Sequence, residues 1–157
     1  MKVVVFASVH DAARSKMAAA FFNAFTLPAL VRAVSGGDRP LLWVVPDVVR
    51  AMGEVGLDVS DRPRVLTSEL LARATRIVTF DGAVWHPPAE VPREDWDLPD
   101  PSNLPLPRIR EIRERIRERV WRLVAKQGWY KLQPARVIRD RSLRASESLP
   151  SGDRIAP

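Results

Sequence analysis

The sequence predicts a three-layer α/β fold, in which helices flank a four-stranded parallel sheet. Short apolar runs alternate with segments of helical periodicity through residues 1–127, and this alternation is typical of parallel strands joined by crossover helices. A chain of 157 residues with 46% hydrophobic content is long enough for one core but hardly for two. We therefore predict one domain at 1–127, followed by a basic, partly disordered C-terminal extension at 128–157.

Four short segments are predicted to be strands. The first and the last are apolar runs that are typical of strands buried in a parallel sheet. The predicted strands are Val3–Ala7, Ala29–Val34, Arg64–Leu66 and Arg76–Phe80.

Periodicity and end signals predict four helices. The sequences Pro46-Asp47 and Thr67-Ser68-Glu69 are typical helix starts. The predicted helices are Arg14–Phe25, one that runs from Pro46-Asp47 to between Gly53 and Gly56, one that begins at Thr67–Glu69, and Arg108–Gln127. Between the last strand and the last helix, Asp81–Pro107 is predicted to be a loop rich in proline and tryptophan, and loops of this length are usually functional or disordered.

The formal charge of +6 is concentrated in the last third of the chain. Arginines recur along the predicted last helix, but Glu111, Glu114 and Glu118 alternate with them at ion-pair spacing. This pattern favours a solvated helix face over a nucleic-acid-binding surface. No apolar run approaches the roughly 18 residues that span a bilayer. We expect a cytoplasmic protein with neither a nucleic-acid nor a membrane partner.

The absence of cysteine restricts the chemistry. The 157 residues contain no Cys and only two His, so a disulfide, a thiolate nucleophile and a cysteine-ligated metal are excluded. His10 and His86 are far apart in sequence, and no carboxylate lies at ligand spacing from His86. We expect no metal and no cofactor, and we interpret His86 as a loop residue.

The first strand, loop and helix form a candidate anion site. The strand ends at Ala7, a six-residue turn follows, and a helix opens at Arg14-Ser15. Such a turn arranges backbone N–H groups around a concave nest at a helix N-terminus, where an oxyanion fits. A guanidinium at position 14 can grip two oxygens of that anion. The alternative is that Arg14 and Ser15 only begin a helix, as in any parallel α/β protein.

The stretch VVVFASVHDAARSKMAAAFFN resembles the opening of the low-molecular-weight protein tyrosine phosphatases and their arsenate reductase relatives. Their signature is Cys, five residues, Arg, then Ser or Thr, and here the same register reads Ser8, Arg14, Ser15. The resemblance continues through VVPDVVRAMGEVGLDVSDRPRVLTSELLARATRIVTF and EDWDLPDP, and covers roughly residues 1–126. The segment around Trp96–Pro101 looks closer to the arsenate reductase branch.

The resemblance implies a role for each matching position. Ser8 occupies the nucleophile position, Arg14 the oxyanion-binding arginine, and Asp100 the acid that protonates the leaving group. Phosphate, arsenate or sulfate is the implied ligand. The implied oxyanion-binding residues are Val9, His10, Asp11, Ala12, Ala13, Arg14 and Ser15.

Several positions depart from the family pattern. A hydroxyl at Ser8 cannot supply the two electrons that arsenate reduction takes from a thiol, and it is a far weaker acid than the thiol that such loops activate. Asp11 and Ala13 replace the usual asparagine and glycine, so we expect Asp11 to weaken anion binding unless it is paired, and Ala13 to resist a positive φ. Gly82 and His86 stand where relatives with a disulfide relay use cysteines. So many departures favour natural divergence over one deliberate substitution at Ser8.

The sequence thus predicts a catalytically impaired member of this family that still binds an oxyanion. Two alternatives stay open. One is a non-enzymatic interaction protein that uses the old pocket, or the loop around Trp85 and Trp96, to bind a protein partner. The other is an enzyme that uses Ser8 as an alcohol nucleophile, which requires a base; His10 is close in sequence, but a polar loop role is the simpler interpretation.

Overall fold

A parallel sheet of four strands, in the order β2-β1-β3-β4, forms the centre of the computed structural model. The structure describes residues 1–80, 82 and 90–132. The strands are β1 (Lys2–Ser8), β2 (Val31–Gly37), β3 (Arg76–Phe80) and β4 (Arg93–Trp96). All three pairings between neighbouring strands are parallel, so the predicted four-stranded parallel sheet is confirmed.

Helices cover both faces of the sheet, which confirms the predicted three layers. They are α1 (Arg14–Phe25), α2 (Pro46–Glu54), α3 (Ser68–Arg73) and α4 (Leu106–Gln127). Strand β1 shows the two faces most clearly: Val4 and Phe6 belong to the large core with α1, α2 and α4, whereas Val5 and Ala7 pack on the α3 side. Burial on both faces explains the continuous apolar run of this strand.

One predicted strand is wrong, and one strand lies in a segment that was predicted to be a loop. Arg64–Leu66 is not a strand: the chain forms one parallel bridge, from Val65 to Gly37, and then enters α3 at the N-cap Thr67. The fourth strand is instead Arg93–Trp96, within the segment predicted to be a loop. Its sequence REDW carries three charges and only Trp96 is buried, as an edge strand permits, so it lacks the apolar signal of a buried strand.

Other boundaries differ by a few residues. Strand β2 begins at Val31 rather than at Ala29 and continues through Gly37. Helix α4 begins at Leu106, two residues before the predicted start, with a proline in its first turn, where the missing N–H costs nothing. It ends at Gly128, whose φ of 70° is the left-handed conformation that glycine adopts easily.

The amphipathic prediction for α4 is confirmed. Six apolar residues on one face are at most 6% exposed: Ile109, Ile112, Ile116, Val120, Leu123 and Val124. On the other face Arg117 pairs with Glu114, and Arg122 pairs with Glu118. In the described part of the chain, no helix is long and apolar enough to cross a membrane.

An ionic link between α2 and α4 was not visible in the sequence. Arg113 is 4% exposed, and its guanidinium donates to the carbonyl of Ala51 (2.8 Å) and to the Glu54 carboxylate (3.3 Å). Arg110 donates two hydrogen bonds to the same carboxylate, from Nε at 2.9 Å and from Nη2 at 2.9 Å. The hydrogen bond and charge of Arg110, with those of Arg113, hold the pKa of Glu54 below its usual value.

The start of the predicted C-terminal extension packs on the core. Trp129 is 9% exposed and meets Phe22 edge to face, Tyr130 forms a bridge with Thr26, and the Lys131 amide donates to the carbonyl of Phe25. The rest of the extension, residues 133–157, lies outside the described residues, and its predicted partial disorder stays a prediction.

Candidate functional site

The candidate site lies at the carboxyl end of β1, in the loop from Ser8 to Ala13 that leads into α1. Backbone bonds fix the outer side of this loop: the amides of Arg39, Leu41 and Val45 donate to the carbonyls of residues 9, 10 and 12 at 2.8–3.0 Å. A loop whose carbonyls are paired in this way keeps one shape.

Gly37 of β2 allows the loop to lie close to the sheet. A Cβ atom at this position would meet the Val9 carbonyl oxygen at 2.7 Å and the Asp11 amide nitrogen at 3.0 Å. These are backbone atoms that cannot rotate away. A glycine is therefore required beside the loop for steric reasons.

The loop, Arg14 and the Asp100 segment surround an open cavity of about 140 Å³. The structure thus brings together three residues that the sequence singled out, Ser8, Arg14 and Asp100, although Asp100 is distant in sequence. Asp11 and Ser15 do not line the cavity. The lining residues are Ser8, Val9, His10, Ala12, Ala13, Arg14, Asp100 and Ser102.

Arg14 connects the loop to the segment that carries Asp100. Its side chain is 5% exposed, Nη1 donates to the Leu98 carbonyl at 2.7 Å, and the guanidinium lies 5.6 Å from the centre of the Phe80 ring. A cation held by a ring face and a carbonyl keeps its orientation. The charge of Arg14 is therefore fixed at the wall of the cavity.

Asp100 also lines the cavity and is exposed. Its Oδ1 accepts hydrogen bonds from the amide of Ser102 at 3.0 Å and from the Ser102 hydroxyl at 2.6 Å. This turn orients the carboxylate. The orienting role of Ser102 was not predicted, although an Asp-Pro-Ser sequence is a recognisable signal for such a turn.

Asp11 is buried behind the loop rather than exposed to the cavity. Its side chain is 0% exposed. Oδ1 accepts a hydrogen bond from the Ser15 hydroxyl at 2.8 Å. Oδ2 accepts one from the Arg64 amide at 3.0 Å and lies 3.6 Å from Lys16 Nζ. The carboxylate is thus paired, which is the condition under which its charge does not oppose an anion.

The expectation that position 13 needs a positive φ is wrong. Ala13 has a φ of −149°, and the left-handed residue of the loop is Asp11, with a φ of 47°. Aspartate adopts this conformation more readily than most residues with a side chain. Ala13 therefore does not obstruct the loop in the way the sequence suggested.

Ser8 lines the cavity and is 6% exposed. Its Oγ is 2.7 Å from Ser15 Oγ and accepts from the Asp11 amide at 3.1 Å. Because Ser15 gives its only hydroxyl proton to Asp11, Ser8 must be the donor in the contact between the two hydroxyls.

The remaining candidates take part less directly. His10 lines the cavity with an exposed side chain, but its Nδ1 donates to the Arg39 carbonyl at 3.0 Å. Trp96 is buried against Phe6 and Phe80, so it belongs to the core. Trp85 and His86 lie outside the described residues. Within the described part of the chain, no three His, Asp or Glu side chains are grouped to hold a metal ion.

Comparison with known proteins identifies relatives by sequence. A protein named "Putative arsenate reductase" from Halobacterium salinarum is 35% identical over 121 residues, which are 73% of this chain and 85% of the relative. A glutaredoxin arsenate reductase from Synechocystis sp. is 33% identical over 135 residues, which are 80% of this chain and 98% of the relative. No family model matches the sequence.

Solved structures show the same fold. An arsenate reductase from Archaeoglobus fulgidus superimposes with a TM-score of 0.68 at 29% identity, covering 78% of this chain and 98% of its own. An arsenate reductase in the phosphate binding state superimposes with a TM-score of 0.66 at 30% identity, covering 80% of this chain and 98% of its own. A low-molecular-weight protein tyrosine phosphatase from T. tengcongensis shares the fold, with a TM-score of 0.69 at 23% identity, covering 80% of this chain and 99% of its own.

Proposed function

The chain belongs to the arsenate reductase family, whose fold it shares with the low-molecular-weight protein tyrosine phosphatases, and we propose that it binds a tetrahedral oxyanion in the cavity between Ser8 and Asp100. Phosphate, arsenate and sulfate are the candidate ligands. Arg14 and the backbone amides of the loop hold the anion, and the N-terminus of α1 adds a favourable dipole.

The observation that carries this proposal is the fixed position of Arg14. Its buried guanidinium, held by the Leu98 carbonyl and the Phe80 ring, lines the same cavity as the loop that precedes α1. A guanidinium that is already ordered loses little conformational entropy when it binds an anion. The family relative solved in the phosphate binding state supports the choice of ligand.

We propose further that the protein does not reduce arsenate by itself. The reaction consumes two electrons, which the relatives' chemistry takes from thiols, and this sequence has a hydroxyl at Ser8 and no cysteine. Thiol-dependent turnover of phosphate esters is lost for the same reason. Binding is therefore retained while the redox activity of the family is absent.

Thermal unfolding in the presence of anions tests the proposal. Ligand at about a hundred times its Kd stabilises a protein by about 2.7 kcal/mol, which raises the Tm of a domain of this size by several degrees. The rise should be saturable for phosphate and should disappear in Arg14→Ala. Arg50→Ala, at an exposed position of α2, is the matched control at equal ionic strength and should respond like the unchanged protein.

A second candidate function is supported by three exposed apolar side chains beside the cavity. Leu41, Leu42 and Trp43 are 46%, 63% and 73% exposed, and the Leu41 amide donates to the His10 carbonyl at the cavity rim. Exposed apolar groups of this size often mark a contact surface. They favour a partner that presents a phosphorylated residue next to apolar ones.

Binding of a phosphopeptide distinguishes this second candidate from binding of a free anion. A phosphopeptide with apolar flanking residues should bind more tightly than inorganic phosphate. Trp43→Ala should remove that advantage and leave the Kd for phosphate unchanged, as measured by calorimetry. Equal affinities for peptide and phosphate would exclude a role of this surface in recognition.

A further inference from the structure

We propose that Ser8 is a phosphoryl acceptor, whose hydroxyl proton leaves through Ser15 to the buried carboxylate of Asp11. The inference rests on the proposed anion site, because the phosphoryl group must first occupy the cavity. It supplies the base that an alcohol nucleophile requires and that the sequence alone did not reveal.

The direction of the hydrogen bonds makes the three residues a relay. A carboxylate can only accept, so the Ser15 hydroxyl donates to Asp11 Oδ1 at 2.8 Å. The Ser8 hydroxyl then donates to Ser15 Oγ at 2.7 Å, and Ser8 Oγ accepts a hydrogen bond from the Asp11 amide at 3.1 Å. Among the described residues no further donor is found for Ser8 Oγ, which leaves it one lone pair, and Ser8 lines the cavity.

The two carboxylate oxygens of Asp11 have different partners. Oδ2 is engaged by the Arg64 amide and by Lys16, which is 6% exposed, whereas Oδ1 contacts the relay. The buried ammonium of Lys16 compensates the charge of the carboxylate. Protein kinases use an Asp in the same chemical way, to accept the proton of a substrate hydroxyl during phosphoryl transfer.

The transfer step balances without a further reagent. Ser8 Oγ attacks the phosphorus of a phosphate monoester, so the bond between Oγ and phosphorus forms while the bond to the leaving oxygen breaks. The Ser8 proton passes to Ser15 as the Ser15 proton passes to Asp11. Asp100, in its protonated form, gives a proton to the leaving oxygen. Arg14 and the loop amides hold the phosphoryl oxygens.

The product is expected to accumulate as phosphoserine. A thiolate leaves readily because a thiol has a pKa of about 8.5, but the alkoxide of a serine is a much poorer leaving group. Hydrolysis of the phosphoserine is therefore slow, and the reaction stops after about one phosphoryl group for each chain. The donor class is a phosphate monoester with a good leaving group.

Incubation with para-nitrophenyl phosphate tests the transfer. We expect a burst of nitrophenol close to one equivalent, and the intact protein should gain the mass of one phosphoryl group, mapped to Ser8 by peptide fragmentation. Ser8→Ala should give neither signal. Modification of a residue other than Ser8, or no modification in a protein that binds phosphate, would overturn the inference and leave the anion site intact.

The role of Asp11 is tested by the rate of phosphoserine formation, compared between a serine and a thiol at position 8. In Asp11→Asn this rate should fall about 10²- to 10⁴-fold. The charged groups that face Asp11 are Lys16 and, through its backbone, Arg64; His10, Arg14 and Asp100 face the cavity. Glu69→Gln, an exposed change on α3, should keep the rate.

A thiol at position 8 controls for misfolding. The pair Ser8→Cys and Ser8→Cys/Asp11→Asn should release nitrophenol at similar rates, because a thiol does not need the relay. An unchanged rate in Asp11→Asn, or an equal loss of rate in the serine and thiol backgrounds, would overturn the relay. If phosphate fails to raise the Tm of the unchanged protein, the anion site itself is wrong.

Discussion

At the scale of single residues, the shape of the loop depends on groups that do not line the cavity. The backbone of Asp11 has the left-handed conformation, and its carboxylate pairs with Lys16 and accepts a hydrogen bond from the Arg64 amide. The family resemblance implied roles for Ser8, Arg14 and Asp100 because each of them occupies a position of the family motif. It could not predict the pairing of Asp11, because the Arg64 segment approaches Asp11 only after the chain has folded.

Gly37 provides a test of how closely the loop must approach the sheet. In Gly37→Ala the new Cβ would lie 2.7 Å from the Val9 carbonyl oxygen, so the loop must shift, at a cost of about 1–3 kcal/mol. We expect a lower Tm and weaker phosphate binding. Urea unfolding and calorimetry measure the two effects.

Gly53 is the matched control for that substitution. It lies in α2, and a Cβ atom there would have no neighbour within 4 Å. Gly53→Ala should therefore be neutral, or stabilise the helix by up to about 1 kcal/mol, without a change in phosphate affinity. Equal behaviour of the two variants would mean that the close approach at Gly37 does not matter.

At the scale of elements, prediction succeeded where burial was continuous and failed at the edge of the sheet. Strand β3 is fully enclosed after its first residue, and its apolar run identified it. Strand β4 is held by pairing with β3, by the buried Trp96, and by polar contacts of Glu94 with Arg76 and of Asp95 with Thr79. Its charged sequence has no period of two, so backbone pairing outweighs composition there. The ionic link between α2 and α4 likewise joins residues far apart in sequence.

The ionic link at Glu54 should make stability depend on pH. Because the pKa of Glu54 is lower in the folded than in the unfolded chain, its ionised form stabilises the fold above the unfolded pKa, and this contribution is lost as the pH falls through the folded pKa. The free energy of unfolding of the unchanged protein should exceed that of Glu54→Gln at pH 7. The difference should shrink in acid.

Urea titrations of both proteins at pH 7 and at acid pH measure that difference. Glu69→Gln is the control, since Glu69 is exposed on α3 and no ion pair is found for it among the described residues. A difference between Glu54→Gln and the unchanged protein that stays constant with pH would show that Glu54 acts through packing rather than through its charge.

At the scale of the whole molecule, the site follows from the topology. Strand β1 is central, the chain passes to β2 on one side and to β3 on the other, and ligands of parallel α/β sheets bind outside the carboxyl ends of strands at such a reversal. The alternating elements predicted the parallel sheet, whereas the place of the candidate site was predicted from the turn between the first strand and helix and from the family resemblance. The boundary at residue 127 stays a prediction, and the buried Trp129 favours a domain that extends slightly beyond it.

Calorimetric titration of phosphate into the unchanged protein, Arg14→Ala and Arg50→Ala is the most direct test of the central claim that an oxyanion site survives without a thiol. We predict saturable binding at one site in the unchanged protein and in Arg50→Ala, with competition by arsenate, and no saturable binding in Arg14→Ala. Binding that is equal in all three proteins, or absent from the unchanged one, would contradict it.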